Sequence, residues 1–159
     1  MIVVTTGTNG AAFDRLLSEL DRLAPGERVV VQHGPSSLRP AGAECVDYLP
    51  FAKLSELIAE ARVVVTHAGA GSVLAALGAG HRPLVVPRLA RFGEAVDDHQ
   101  LWFAERLAAS GIVTVVEDPA MLRSLVRSAT RSAHAPQPGR GSLQRELAAQ
   151  LRGIVGAAA

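Results

Sequence analysis

Short runs of β-branched apolar residues alternate along the chain with segments whose apolar residues recur at helical spacing. Six runs predict strands, at residues 2–6, 27–32, 44–49, 62–66, 83–87 and 112–116. Helical spacing predicts helices at residues 13–23, 54–61, 72–79, 99–109 and 119–131. The strand runs are continuously apolar, which is typical of parallel strands covered by helices on both faces. The pattern therefore predicts an α/β fold, a doubly wound, six-stranded parallel Rossmann-like sheet in a single domain.

The C-terminal part of the chain has a different pattern. Residues 132–142 are rich in Pro, Gly and Ser, which predicts a linker after a domain at 1–131. Apolar residues then share one helical stripe, which predicts a C-terminal helix within 143–159: Leu143, Leu147, Leu151 and Ile154. This helix either packs back on the domain or docks on a partner.

Composition and charge narrow the class of protein. The 159 residues are 48% hydrophobic and 19% charged, with a net charge of +1, so no bulk electrostatic attraction to nucleic acid is expected. Cys45 is the single cysteine, which excludes an internal disulfide and favours a cytoplasmic location. No apolar run is long enough to span a membrane, and the strand beginning at Ile2 leaves no room for a signal peptide.

The loop THAGAGS connects the strand at 62–66 to the next predicted helix. In an open parallel sheet, ligands bind outside the carboxyl ends of the strands, where this loop lies. Small residues leave its backbone N–H groups accessible to a ligand: Gly69, Ala70 and Gly71. Ser72 offers a hydroxyl or a helix cap, and His67 a further hydrogen-bonding group. Two interpretations stay open, a phosphate cradle or a tight turn with a core histidine.

Other common site motifs are missing. The sequence has no GxxxxGK[ST] loop, and GTNG after the first strand is not the GxGxxG of dinucleotide-binding proteins. Ser72 follows the glycines and is not flanked by them, unlike the nucleophile of a serine hydrolase. His67, His81 and His99 are far apart in sequence, so no metal site is expected.

A second loop, GEAVDDHQ at 93–100, follows the fifth strand. It concentrates polar residues before a predicted helix: Glu94, Asp97, Asp98, His99 and Gln100. Asp97 or Asp98 is expected to cap that helix. The amide of Gln100, beside His99, suits recognition of sugar hydroxyls, because it both donates and accepts hydrogen bonds. A phosphate cradle beside a hydroxyl-binding loop suggests a nucleotide-sugar site.

With these segments in order, the sequence resembles the nucleotide-sugar-binding C-terminal half of GT-B glycosyltransferases. HAGAGS, RPLVVP and DDHQ are similar to the glycosyltransferase family 28 C-terminal domain, which includes the MurG-type enzymes. VVTTGTNGAAFDRLL and RFGEAVDDHQLWFAERL resemble the short, single-domain PssE-type subunits of exopolysaccharide synthesis. The resemblance covers residues 1–128.

The resemblance implies roles for individual residues. A diphosphate-binding stretch is implied at His67, Gly69, Gly71 and Ser72. Gly7 and Thr8 fall on a glycine-rich loop that faces the cleft between two GT-B halves. His99 and Gln100 fall on the pair that contacts the transferred sugar, and uracil is expected near 49–51. One residue departs from the pattern: Ala75 stands where many members have an acidic residue for the ribose, so Glu94 is considered for that role instead.

The function implied is that of a donor-binding catalytic subunit of an inverting, two-component glycosyltransferase. It would move a hexose from a UDP-sugar to a lipid-linked acceptor, with no cofactor and no metal. A membrane-anchored partner would supply the acceptor-binding half and hold the chain at the inner face of the plasma membrane. The catalytic residue is left open, with His67 and His99 as candidates. The alternatives are a noncatalytic stabilising subunit, a UDP-binding module and an unrelated phosphate-binding regulator.

Overall fold

In the described part of the chain, six parallel strands form one sheet. The computed structural model describes residues 1–21 and 23–129. The strands are β1 (Ile2–Thr5), β2 (Val29–Gln32), β3 (Glu44–Val46), β4 (Val63–Thr66), β5 (Leu84–Val85) and β6 (Thr114–Val115). Their spatial order is β3-β2-β1-β4-β5-β6, and every neighbouring pair is parallel. The predicted α/β fold with a six-stranded parallel sheet is confirmed.

The described residues also form five α-helices, four between strands and one after the last strand. They are α1 (Asp14–Leu17), α2 (Phe51–Glu60), α3 (Ala70–Gly78), α4 (His99–Ala109) and α5 (Leu122–Ser128). Short 3-10 turns follow α1 at Ser18–Leu20, precede α4 at Ala90–Phe92 and precede α5 at Pro119–Met121. The bounds of α4 match the prediction, whereas α3 begins two residues earlier than Ser72.

Alternate residues of each central strand enter different cores, which explains why the strands are continuously apolar. Val4 packs in the cluster that contains residues of α1 and α5, whereas Val3 packs with residues of α2 on the other side. Val85 belongs to a third cluster with Phe103 of α4. Both faces of the sheet are therefore buried.

The C-terminal predictions lie largely outside the described residues. The linker at 132–142 and the helix at 143–159 are not described, nor are the last residues of the helix predicted to reach 131. Within the described part of the chain, no helix has both the length and the apolar character needed to cross a bilayer.

An ion pair at the amino ends of the strands, opposite the predicted site, ties the end of α5 to β4. Arg62 precedes β4 and binds both carboxylate oxygens of Glu27, at 3.0 Å and 2.6 Å. Its guanidinium also donates to the backbone carbonyls of Val126 and Ala129. The hydrogen bond from Arg62 holds the pKa of Glu27 at about 2, against the opposing effect of burial.

We predict that Glu27→Gln destabilises the fold by about 1–2 kcal/mol at pH 7. The folded-state pKa lies below the ordinary 4.5, so the carboxylate stabilises the fold above pH 4.5. The difference from wild type should shrink as the pH falls from 4.5 towards 2, measured by urea unfolding. Glu44→Gln, which breaks the exposed pair with Arg28, is the matched control and should change stability much less. A wild-type advantage that persists at pH 2 would contradict the assignment.

Candidate functional site

A cleft of about 340 Å³ opens at the carboxyl ends of β1, β2 and β4. Six of the predicted residues line it: Gly7, Thr8, His67, Gly69, Gly71 and Ser72. Six further residues complete the lining: Thr5, Gln32, Tyr48, Leu49, Phe51 and Leu54. The chain order reverses direction between β1 and β4, and such switch points are where ligands bind in open parallel sheets.

The loop that follows β1, residues 6–13, is called the first loop. The side chains of Thr5 and Gln32 connect β1, β2 and this loop at the base of the cleft. The Thr5 hydroxyl donates to Oε1 of Gln32 at 3.3 Å, and Nε2 of Gln32 donates to the carbonyl of Gly7 at 3.3 Å. The N–H of Gly7 in turn donates to the Thr5 hydroxyl at 3.2 Å. These bonds hold Gly7 in the left-handed region, with φ of 76°.

The His67 imidazole lies between Gly7 and Gly69. A Cβ atom on either glycine would overlap Cε1 and Nε2 of the ring. At Gly71, by contrast, an added Cβ meets nothing within 4 Å. Two of the glycines therefore make room for a histidine, while Gly71 leaves open space beside the cleft.

The environment of His67 keeps its ring neutral. Burial and, second, the nearby positive charge of Arg88 lower its pKa to about 4, although the carbonyl of Thr5 opposes the shift. Its Nδ1 atom is buried and has no hydrogen-bond partner among the described residues. At neutral pH, His67 thus presents an uncharged imidazole to the cleft.

Helix α3 begins beside this ring without a side-chain cap. Its N-cap residue is Gly69, and no side chain bonds to its first turn. The prediction that Ser72 caps the helix is wrong, because the helix has already begun at Ala70. The Ser72 hydroxyl instead bonds to Oγ1 of Thr66 at 2.6 Å and donates to the carbonyl of Gly69 at 3.0 Å. The first turn consequently keeps backbone N–H groups and the positive end of the helix dipole for a ligand.

The mouth of the cleft carries aromatic surface from the loop after β3. Tyr48 and Phe51 are 61% and 62% exposed, and both line the cleft together with Leu49. Large apolar side chains with such exposure suit a flat ring that would stack on them. This is the segment where the base was expected.

Glu94 does not line the cleft. Both of its carboxylate oxygens are bound by Arg15 at 2.9 Å, and Oε2 also accepts from the N–H of Leu89 at 3.1 Å. The side chain is buried within this ion pair. A ribose-binding role would therefore require Glu94 to give up Arg15.

The two aspartates before α4 have separate partners. Asp98 is the N-cap residue of the helix, but its carboxylate accepts from the N–H of Ala90 at 2.8 Å. Asp97 accepts from the N–H of His99 at 3.0 Å and also contacts Nδ1 of its ring. These bonds from His99 lower the pKa of Asp97. Asp97 therefore satisfies the first N–H group of the helix, whereas Asp98 anchors the loop.

His99 and Gln100 differ in burial and do not line the cleft either. The His99 side chain is 65% exposed, whereas Gln100 is buried and its Oε1 accepts from the N–H of Arg88 at 3.3 Å. No bond joins the Gln100 amide nitrogen to another described residue. The structure brings the THAGAGS loop and the first loop together, but it holds the second predicted loop to one side.

Arg88 lies outside the cleft lining but contacts the loops beside it, and the sequence patterns did not predict this. Its side chain is fully buried over the Phe13 ring, 4.6 Å from the ring centroid. The guanidinium donates to backbone carbonyls of both loops: Thr6, Ala11, Ala12 and Glu94. A signal was present in the sequence, since an arginine in the apolar segment PLVVPRLA is unusual for a buried strand end.

Metal-binding residues do not cluster near the cleft. Over residues 1–21 and 23–129, no three His, Cys, Asp or Glu side chains are grouped so as to hold an ion.

Comparison with known proteins shows which sequence family the chain matches. The model of the glycosyltransferase family 28 C-terminal domain matches residues 1–150. A similar curated protein is the UDP-N-acetylglucosamine–N-acetylmuramyl-(pentapeptide) pyrophosphoryl-undecaprenol N-acetylglucosamine transferase of Aromatoleum aromaticum. It is 34% identical over 129 residues, which cover 74% of this chain and 35% of that protein. The chain thus spans about a third of the length of this relative.

Solved glycosyltransferases share the fold. The calicheamicin glycosyltransferase CalG4 matches 99% of this chain with 44% of its own, at a TM-score of 0.62 and 21% identity. SnogD from Streptomyces nogalater matches 83% of this chain with 35% of its own, at a TM-score of 0.57 and 24% identity. A glycotransferase of kitacinnamycin matches 93% of this chain with 39% of its own, at a TM-score of 0.62 and 21% identity. The expected half of a GT-B fold is confirmed.

We predict that Gly69→Ala displaces the His67 ring, because the new Cβ overlaps it. The overlap should cost about 1–3 kcal/mol of stability. It should also raise the pKa of His67 from about 4 towards its ordinary 6.5 as the ring moves into water. Urea unfolding and NMR titration of the imidazole measure the two effects. Gly71→Ala is the matched control, with open space for its methyl group, and should leave both unchanged.

We also predict that His67 lowers stability in mild acid. The pKa of the folded state, about 4, lies below the ordinary 6.5, so between these values only the unfolded chain binds the proton. Wild type should lose about 2 kcal/mol relative to His67→Asn as the pH falls from 6.5 to 4. Parallel stability curves for the two proteins across this range would contradict the assignment.

Proposed function

The chain belongs to the glycosyltransferase family 28 C-terminal domain family, and from this membership we propose that it is a donor-binding glycosyltransferase subunit. In this proposal it binds a UDP-sugar and serves as the catalytic half of an inverting, two-component hexosyltransferase. The acceptor is lipid-linked, by analogy with the undecaprenol-linked acceptor in the name of the Aromatoleum aromaticum protein.

The observation that carries the proposal is the cleft beside the uncapped start of α3. Gly71 leaves open space next to backbone N–H groups, and the helix dipole favours an anion there. When the sugar–phosphate bond breaks, negative charge accumulates on the departing diphosphate. Fixed N–H donors at that position stabilise the charge without a metal.

His67 contributes a neutral hydrogen-bonding group to the same cradle. Its ring cannot shift away from the cleft without meeting Gly7 or Gly69, so its orientation is held by packing. Because its pKa is about 4, it would contact the diphosphate as imidazole and not as imidazolium. We propose a binding role for His67 in place of a general-base role, since a base of such low pKa is weak near neutrality.

The nucleoside would lie towards the aromatic mouth of the cleft. Uracil would pack against Tyr48 and Phe51, whose exposed rings line that end. Ala75 is partly buried against the core and offers no polar group to the ribose. The sugar would extend towards Gln100, whose amide nitrogen is unengaged, and towards His99 and Asp98 at the start of α4.

We propose that a partner subunit supplies the acceptor-binding half of the active site. The chain covers 35% of the Aromatoleum aromaticum protein and 35–44% of the solved glycosyltransferases. In a GT-B enzyme the active site lies between two such halves, so this domain would form one side of it, and the acceptor site and the general base would lie on a second domain. We propose a membrane-anchored partner that holds this chain at the cytoplasmic face of the membrane.

Two observations favour a second function, a noncatalytic stabilising subunit. Ala75 replaces the acidic residue expected at the ribose, and Glu94 is engaged by Arg15. A chain that had lost donor affinity would keep the fold and the partner surface only.

The proposal predicts that UDP binds the complex of this chain with its membrane-anchored partner, as measured by calorimetry, and that UDP-sugar turnover needs both chains. His67→Ala should weaken UDP binding about tenfold, the loss of one hydrogen bond to a charged group. Gln100→Ala should lower turnover and leave UDP affinity intact, because the amide is assigned to the sugar. Glu105→Gln, on the exposed face of α4, is the control and should change neither.

Three results separate the alternatives. No binding of UDP to the complex would overturn the donor-binding role. Normal polysaccharide synthesis by an assembled complex that carries both alanine substitutions would support the stabilising subunit. UDP binding without turnover in the presence of partner and acceptor would support the binding module.

A further inference from the structure

A buried cation joins the two loops that the proposed donor site requires. Arg88 follows β5 and is fully buried, which is rare for an arginine. One terminal nitrogen donates to the carbonyl of Thr6 at 2.9 Å, immediately before Gly7. The other donates to the carbonyls of Ala11, Ala12 and Glu94 at 3.0–3.2 Å. A single side chain thus connects both ends of the first loop to the loop that precedes α4.

The backbone of Arg88 extends the same connection to Gln100. The Arg88 N–H donates to Oε1 of Gln100, which leaves the amide nitrogen of that side chain unengaged. Arg88 therefore contacts the first loop through its guanidinium and the proposed sugar-binding amide through its backbone.

The charge of Arg88 is not cancelled by a direct ion pair among the described residues. Its hydrogen bonds go to neutral carbonyls, and its Nε atom is buried with no partner. The nearby Glu94 carboxylate has both oxygens bound by Arg15. Burial lowers the pKa of Arg88 despite the opposing charge of Glu94, so the chain compensates the buried cation only in part. An anion in the cleft would therefore stabilise it further.

The positive charge reaches the cleft. Arg88 is one of the two causes that lower the pKa of His67, and His67 lines the cleft at its base. Arg88 donates to the carbonyl of Thr6, and the next residue, Gly7, lies against the His67 ring. All three groups are largely buried, and charges interact more strongly there than in water. An anion placed against His67 and the start of α3 would therefore lie in the field of Arg88.

We propose that Arg88 is the positioning residue of the donor site, which fixes the first loop beside the cleft and supplies the buried positive charge that attracts the diphosphate. The inference rests on the proposed function. It assigns part of the electrostatic attraction to a residue that does not line the cleft, in addition to the backbone N–H groups at the start of α3.

The test compares Arg88→Met, which keeps most of the side-chain volume without the charge, with Arg88→Lys, which keeps the charge without the planar fork. Both variants are prepared and measured as the complex with the partner subunit. Arg28→Met removes the same charge from an exposed pair at the opposite edge of the sheet and is the matched control. UDP affinity, the KM for the UDP-sugar and kcat are measured, together with hydrogen exchange of residues 6–12.

We expect Arg88→Met to weaken UDP binding at least tenfold and to raise the KM for donor more than it lowers kcat. Arg88→Lys should recover UDP affinity to within about threefold of wild type, because the charge is kept. Hydrogen exchange of residues 6–12 should accelerate in both variants, since both lack the fork. In Arg88→Met, the NMR titration midpoint of His67 should rise from about 4 towards 6.5 without any nucleotide present.

Arg88→Met with the UDP affinity and donor KM of wild type would overturn the inference and leave the proposed function intact. Equal losses in the Met and Lys variants, with an unchanged His67 titration, would overturn it as well, because they indicate packing alone. A wild-type complex that binds no UDP would overturn the proposed function and this inference together.

Discussion

The packing of the His67 ring between Gly7 and Gly69 is the constraint on which the candidate site depends. It requires β1 and β4 to be neighbours in register, with Thr5 opposite Thr66, so that the loops after the two strands start at the same level. The ring then occupies space that any other residue type at either glycine would fill. This contact joins the start of α3 to the first loop, which hydrogen bonds from Gln32 and Arg88 hold in place.

The second loop after β5 is organised by buried charge. Arg88 binds carbonyls of the first loop, and Glu94 binds Arg15 of α1. Both interactions connect the β5 loop to the β1 side of the sheet, so the two loops of the proposed site are held together by buried polar contacts. Polar groups that the sequence offers as ligands for a nucleotide-sugar are in part committed to this internal framework.

Apolar runs predicted the elements well because they report burial, and the strands of this sheet are buried on both faces. The same property made their bounds too long. Only Leu84 and Val85 pair as β5, yet the flanking Val86 is equally buried. In the segment predicted as the first helix, the apolar residues are buried as expected, but the α-helix ends at Leu17 and a 3-10 turn follows it. Hydrophobic spacing does not distinguish these hydrogen-bond patterns.

The sequence by itself determined the parallel sheet, the position of the loops at its carboxyl edge and the glycines that the cleft contains, because these follow from local periodicity and residue type. Only the tertiary structure decided the partners. It paired Glu94 with Arg15 and buried Arg88 against carbonyls more than seventy positions away. Hydrogen bonds between residues so far apart in the chain depend on which strands are neighbours, and local sequence carries no record of that choice.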